Sequence, residues 1–173
     1  MSENQSAELE WRDGVVPVST RFDDPYFSIA NGLAETRHVF LDGNGLPDRC
    51  VPGFHVAELG FGTGLNLLLA WDVWRRAAKP AGARLRFFSV EGFPLSRDDL
   101  ARAHQAWPAL APLSAKLRAL YPPPHPGFHR LDLDEDFTLT LFFGEAAVGL
   151  EAAEGAIDAW FLDGFAPSKN PDM

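Results

Sequence analysis

From Phe54 onward, short apolar runs alternate with longer stretches whose apolar residues recur at helical spacing. "FHVAELG" is a short apolar run closed by glycine, the pattern of a buried strand. "GLNLLLAWDVWRRA" follows, apolar on a wide face through Leu65, Leu68, Leu69 and Trp71. Its last turn is basic, which suits the negative end of a helix dipole. "RLRFFSVEG" reads as a second strand. "SRDDLARAHQAW" opens on Ser96 with Asp99 three residues later, the signature of a capped helix N-terminus. Leu110, Leu113, Leu117 and Leu120 continue at helical spacing until "YPPPHPG" ends the helix. "FHRLDLDEDFTLTLFFGE" alternates on both sides of an acidic turn, so it predicts a hairpin leading into a third core strand. "AAVGLEAAEG" predicts a short helix and "IDAWFLDGF" a fourth strand.

Residues before Phe54 are less regular. "VVPVSTRFDDPYFS" has strand-like pieces interrupted by Pro17 and Pro25, "NGLAETRHVFL" fits a short helix, and "LDGNGLPDRCVPG" is a turn cluster. The expected organisation is an N-terminal extension, residues 1–53, packing on the site of a Rossmann-like core, residues 54–173. Strands alternating with helices imply right-handed crossovers and a parallel sheet. The predicted fold class is therefore α/β, a doubly wound sheet of nucleotide-binding type. Such folds place their site at the carboxyl ends of the strands.

The first strand end is "ELGFGTGLN". Gly60, Gly62 and Gly64 permit positive φ and close approach of a ligand, and the following helix offers unpaired N–H groups. The order is G-x-G-x-G and not the dinucleotide G-x-G-x-x-G. Glu58 stands beside it and would repel a pyrophosphate. A ligand carrying a sulfonium and an ammonium suits Glu58 better, which points to S-adenosylmethionine. The plain alternative is a tight turn without a ligand.

The second end is Glu91, an acid placed to accept from two ribose hydroxyls; a solvated carboxylate is the alternative. Gly144 and Glu145 form the third, where an acid reaches an adenine amino group or only favours the N-terminus of the next helix. At the fourth, Asp163 closes an apolar strand and precedes "GFAP". A carboxylate and carbonyls at that turn can hold an amine and orient its lone pair. Phe165 offers a face for a flat base. Methyl transfer is an in-line displacement in which positioning does most of the work, and Asp163 can stabilise the cation or take its proton. The alternative is a loop-capping aspartate.

Composition narrows these readings. The 173 residues fit one domain, and 46% hydrophobic residues are enough for a core. No apolar run is long enough to span a membrane, and the acidic N-terminus lacks the regions of a signal peptide. The single cysteine, Cys50, excludes an internal disulfide and fits a cytoplasmic protein. Five scattered histidines show no zinc spacing, so no metal is expected. The net charge of −9 runs against a nucleic-acid footprint. Any such role rests on a local basic patch or on sequence outside this chain.

"ELGFGTGLN", "FFSVEGFPLSRDDLARAHQAWP" and "IDAWFLDGFAPSKNPDM" together resemble the methyltransferase domain of the MnmC family, bifunctional enzymes of 5-methylaminomethyl-2-thiouridine biosynthesis at the tRNA wobble position. "PVSTRFDDPYFS" and "NGLAETRHVFLDGNGLP" fit the same family, so the likeness extends from about Trp11 to the end. The resemblance implies methyl transfer from S-adenosylmethionine to the amine of 5-aminomethyl-2-thiouridine in tRNA. It implies a separate FAD-dependent oxidoreductase domain, outside this chain, that first removes a carboxymethyl group.

By position, the residues Glu58, Gly60, Phe61, Gly62, Thr63, Gly64 and Asn66 would form the methionine-side loop. Glu91 would hold the ribose, and Gly144 with Glu145 the adenine side. Asp163, Phe165 and Pro167 would form the substrate pocket, with "FDDPYF" and "ETRH" as its wall. Glu145 replaces an expected aspartate. The family continues after "NPDM" with further elements, so the resemblance also implies a fragment with an open edge at the fourth strand and tRNA contacts mainly outside it. Three other readings compete: a non-catalytic binding module, a dehydrogenase, and a methyltransferase for a small amine.

Overall fold

The computed structural model describes residues 6–28, 31–46, 48–49, 51–165 and 168–170. Cys50 and the candidate Pro167 lie outside the described residues. The chain opens with a small antiparallel sheet of β1 (Leu9–Arg12), β2 (Val16–Ser19) and β3 (Asp24–Pro25). The strand-like pieces around Pro17 and Pro25 are these strands. Pro25 sits on the edge strand, where a missing N–H is tolerated. A short helix α1 (Gly32–Thr36) runs directly into a π-helical turn, Arg37–Leu41.

The core then builds in order. Strand β4 (His55–Leu59) leads to helix α2 (Leu65–Arg76), and β5 (Leu85–Glu91) to α3 (Arg97–Ala103) and α4 (Ala111–Leu120). Hairpin β6 (Gly127–Asp134) and β7 (Phe137–Phe143) follows, then α5 (Ala146–Ala152) and β8 (Ala159–Leu162). The sheet order is β6-β7-β5-β4-β8. It is mixed and not wholly parallel, because the hairpin sets β6 antiparallel to β7 while β4, β5, β7 and β8 run parallel.

Sequence pattern and packing agree for most elements. Ser96 Oγ accepts from the Asp99 N–H, and the Asp99 carboxylate accepts from the Ser96 N–H, which closes the capping box of α3. Leu110, Leu113 and Leu117 are buried, but Leu120 is 48% exposed. Leu120 is the last residue of α4, and Tyr121, one residue on, fills the core position instead. Helix α2 is buried on more than one face, from Leu65 through Trp71, because α1 and the π turn cover the side away from the sheet.

The two faces of the sheet differ. One carries the main core, in which Phe87, Phe137 and Phe161 pack with Trp71 and Trp74 of α2 and Leu113 and Leu117 of α4. The other carries a smaller cluster, Ala57, Phe88, Val90 and Phe142, packed with residues of α5. Register places Phe161, Glu58, Ser89 and Leu141 in one row across the main-core face. A carboxylate and a hydroxyl thus sit side by side in an apolar layer. The chain steps outward from β4 to β5 and β7, then returns to place β8 on the other side of β4. That reversal opens a crevice at the carboxyl ends of β4 and β8.

Candidate active site

The turn after β4 is bound onto the end of β5. The N–H groups of Gly60 and Phe61 both donate to the Val90 carbonyl at 3.1 Å. Gly62 N–H donates to Glu91 Oε2 at 2.7 Å, and Phe93 N–H to Oε1 at 2.7 Å. Two backbone donors therefore fix the Glu91 carboxylate, and each oxygen keeps a lone pair for a ligand. Burial raises the Glu91 carboxyl, while the backbone N–H bonds pull it back down. Gly64, with φ 74°, is the N-cap of α2; a Cβ there would lie 2.8 Å from the Phe61 ring. Only glycine fits that position.

A cleft of about 930 Å³ opens at these strand ends. Among the sequence candidates, Gly60, Phe61, Gly62, Thr63, Asn66, Glu91, Gly144, Glu145, Asp163 and Phe165 line it. Tyr26 and Glu35, from "FDDPYF" and "ETRH", line it as well. Five carboxylates face it, those of Asp24, Glu35, Glu91, Glu145 and Asp163, against the cations of Arg21 and Lys169. That balance suits a cationic ligand such as S-adenosylmethionine and opposes a pyrophosphate.

Two candidates are placed otherwise. Gly64 shapes the turn without lining the cleft, and Glu58 is 0% exposed beneath it. Glu58 therefore does not meet a ligand's cation directly, as its position beside the glycines led us to expect. Its Oε1 accepts from Asn66 Nδ2 at 2.9 Å and its Oε2 from Ser89 Oγ at 2.6 Å. The cause is strand alternation: Glu58 points to the main-core face with Ser89, one position before the chain turns. Burial pushes its carboxyl well above the usual range.

Asp163 lines the cleft and is exposed to solvent there. Its Oδ2 accepts from Asn66 Nδ2 at 2.7 Å, and its own N–H donates to the Leu59 carbonyl at 3.2 Å. The surrounding protein raises its carboxyl, the Asn66 bond opposes this, and the Glu35 charge raises it further. Asn66 is 3% exposed, and its Oδ1 has no hydrogen-bond partner among the described residues.

Phe165 stacks on Phe22 with centroids 4.8 Å apart and meets the Tyr26 ring edge-on at 5.0 Å. One of its faces is thus taken by protein. Phe22 also meets Phe93 edge-on, and Arg21 lies 4.5 Å over the Phe93 ring. Lys169 pairs with Asp24 at 3.5 Å and donates to the Asp23 carbonyl, tying the segment after β8 to the N-terminal turn. Glu145 is the N-cap residue of α5 but makes no side-chain cap bond, so its carboxylate is left to the cleft.

His104 and Ser89 bear on the site but were not among the sequence candidates. The His104 Nε2 lies 2.8 Å from the Thr63 carbonyl, a contact that nothing in its local sequence marks. Ser89 is visible only once the register of β4 and β5 is known. Among the described residues no group of three or more His, Cys, Asp or Glu is arranged to hold a metal, and no helix is long and apolar enough to cross a membrane.

The sequence profile of an S-adenosyl-L-methionine-dependent methyltransferase family matches residues 108–173. The tRNA 5-methylaminomethyl-2-thiouridine biosynthesis bifunctional protein MnmC of Hahella chejuensis is 49% identical over 96% of this chain and 28% of its own length. Its counterparts from Ectopseudomonas mendocina and Pseudomonas entomophila are 50% and 48% identical over 100% and 98% of this chain. The chain spans 27% of the length of each of those two. The crystal structure of MnmC2 from Aquifex aeolicus superposes with a TM-score of 0.70 at 21% identity, covering 98% of this chain and 53% of that one. That superposition supports the α/β, Rossmann-like fold. With about half of its residues identical along nearly its whole length, the chain belongs to the MnmC family, in its S-adenosyl-L-methionine-dependent methyltransferase part.

Proposed function

We propose that this chain transfers a methyl group from S-adenosylmethionine to the aminomethyl nitrogen of 5-aminomethyl-2-thiouridine at the tRNA wobble position. In the whole protein a FAD-dependent oxidoreductase region would act on the preceding carboxymethyl form, and the protein would work in the cytoplasm. The observation that carries this reading is Asp163 in an acid-lined cleft, bonded to Asn66 in the first turn of α2, in a chain about half identical to MnmC proteins.

Gly60, Phe61, Gly62, Thr63 and Asn66 would hold the methionine side of the cofactor, Glu91 its ribose hydroxyls, and Gly144 with Glu145 its adenine side. When bound, the cofactor supplies the electrophilic methyl group. Asp163 accepts an N–H from the substrate amine and so aims the nitrogen lone pair into the cleft. Its raised carboxyl makes it a better base than a surface aspartate, so it can take the proton that the methylated amine must lose. Phe165, held against Phe22 and Tyr26, forms a rigid wall beside the base. Residues 1–53 supply the other wall through Tyr26 and Glu35.

The test is transfer of labelled methyl from S-adenosylmethionine to tRNA lacking the final modification. Label in the wobble nucleoside is expected. Bound cofactor without label on tRNA would overturn the substrate. The −9 charge favours one other reading, a small-amine methyltransferase, which label on a free alkylamine would support.

A further inference from the structure

Glu58 is 0% exposed, the most buried carboxylate among the described residues, and does not line the cleft. It lies in register between Phe161 and Ser89, and apart from that hydroxyl the layer across the sheet is apolar. Placing an ionisable group there is costly, and both of its oxygens are used. Ser89 Oγ anchors Oε2 from the neighbouring strand at 2.6 Å. Oε1 receives Asn66 Nδ2 at 2.9 Å, and the same nitrogen reaches Asp163 Oδ2 at 2.7 Å.

We propose that Glu58 is a positioning residue for Asp163: it fixes the side-chain amide of Asn66, and that amide holds the Asp163 carboxylate at its place in the cleft. The inference rests on the reading of Asp163 as the group that meets the substrate amine. An Nδ2 group carries two hydrogens, and two carboxylates bracket it, one beneath the cleft and one in it. The reversed amide would turn its carbonyl oxygen against both carboxylates. The observed orientation leaves Oδ1 without a partner among the described residues, and that buried orphan is the smaller penalty. Without Glu58, Asp163 alone would hold the amide, and nothing beneath would hold Asp163 in turn.

Two substitutions separate orientation from charge. Glu58→Met fills the same space and removes both acceptors. Glu58→Gln keeps the orientation, because its carbonyl accepts from Asn66 while its amide donates to Ser89, whose hydroxyl can reverse. The primary readout is hydrogen exchange of the Asn66 side-chain amide by 1H–15N NMR. It is accompanied by the affinity for S-adenosylmethionine and by turnover on tRNA at saturating cofactor.

In Glu58→Met the amide should exchange faster and turnover should fall about 10–100-fold, with cofactor affinity within about threefold of the parent. Glu58→Gln should restore slow exchange and most of the turnover. Parent-like exchange and turnover in Glu58→Met would overturn the proposal. So would equal loss of cofactor affinity and turnover, which would put Glu58 in the cofactor site. Glu58→Gln as impaired as Glu58→Met would also overturn it, because charge and not orientation would then matter. If Glu58→Met does not fold, Ser89→Ala removes the anchor of Glu58 and should shift exchange in the same direction. If the parent binds cofactor but methylates no tRNA, the proposed function fails, and the exchange measurement still decides the role of Glu58.

Discussion

The His104 ring donates from Nε2 to the Thr63 carbonyl at 2.8 Å, which joins the 3-10 turn after α3 to the glycine-rich turn. A carbonyl only accepts, so the proton is on Nε2. Nδ1 then accepts from Ser114 Oγ at 2.6 Å, with Arg118 close by. Burial, first, and the nearby Arg118 charge lower the ring pKa to about 4, against the Thr63 carbonyl, which raises it. The neutral ring is the form that braces the glycine-rich turn.

Stability should therefore depend on acid in a defined direction. The folded ring binds its proton only near pH 4, whereas the unfolded ring binds it near 6.5. Between those values the unfolded state holds more protons, so this contribution falls as pH drops through the window and is lost below it. The full effect is on the order of 3 kcal/mol. The raised carboxyls of Glu58, Glu91 and Asp163 act in the opposite direction. Urea unfolding of the parent and of His104→Gln, compared at several pH values, isolates the histidine. The difference between the two should shrink with acid; a constant difference would mean that His104 keeps its ordinary pKa.

Gly64→Ala should destabilise the fold and distort the glycine-rich turn. The position has φ 74°, and the added methyl would meet the Phe61 ring at 2.8 Å. The left-handed conformation alone costs about 1–2 kcal/mol for a residue with a Cβ, and displacing a buried ring adds to it. Chemical denaturation reads the loss of stability. S-adenosylmethionine affinity should fall with it, since Phe61 lines the cleft. A neutral substitution would show that the turn can relax around the methyl group.

Asp163→Asn should spare cofactor binding and reduce turnover by about 100-fold or more, the usual worth of a positioned base. The variant keeps an oxygen to accept from Asn66 but cannot take a proton. In the parent, the protein atoms around the cleft raise the Asp163 carboxyl, so the acid limb of the turnover profile should lie above the ordinary aspartate range, with activity rising as pH increases through it. Single-turnover rates measured against pH give that limb. A profile that keeps the same limb in Asp163→Asn would assign it to another group.

The elements that the chain reveals are those governed by local rules. The Ser96–Asp99 box, the glycine turn before α2 and the acidic hairpin turn each follow from a few adjacent residues. What the chain hides depends on register. "VAEL" cannot say whether Glu58 faces a ligand or the core, because one position of alternation decides it. The same holds for Ser89, which acquires a role only when β5 lies beside β4. His104 looks like any histidine until α3 is docked on the turn that holds Thr63. Leu120 fits the helical period, but the helix ends there and Tyr121 takes the buried place.

Glu91→Gln gives the clearest test of the cofactor side. Both carboxylate oxygens are held by backbone donors, Gly62 N–H and Phe93 N–H, each at 2.7 Å. A glutamine keeps one of these bonds and sets its NH2 against the other N–H, so one backbone donor loses its partner. It also removes one of the two acceptors available to paired hydroxyls. The expected cost in S-adenosylmethionine affinity is roughly 1–3 kcal/mol, the range for hydrogen bonds to a charged group. Calorimetric titration measures it directly. Turnover at saturating cofactor should change less, because Glu91 lies at the end of β5, on the opposite side of β4 from β8 and Asp163. Thermal unfolding in the same buffer separates lost binding from a loosened turn. Parent affinity in a folded Glu91→Gln would remove Glu91 from the cofactor site and leave it a brace for the glycine turn.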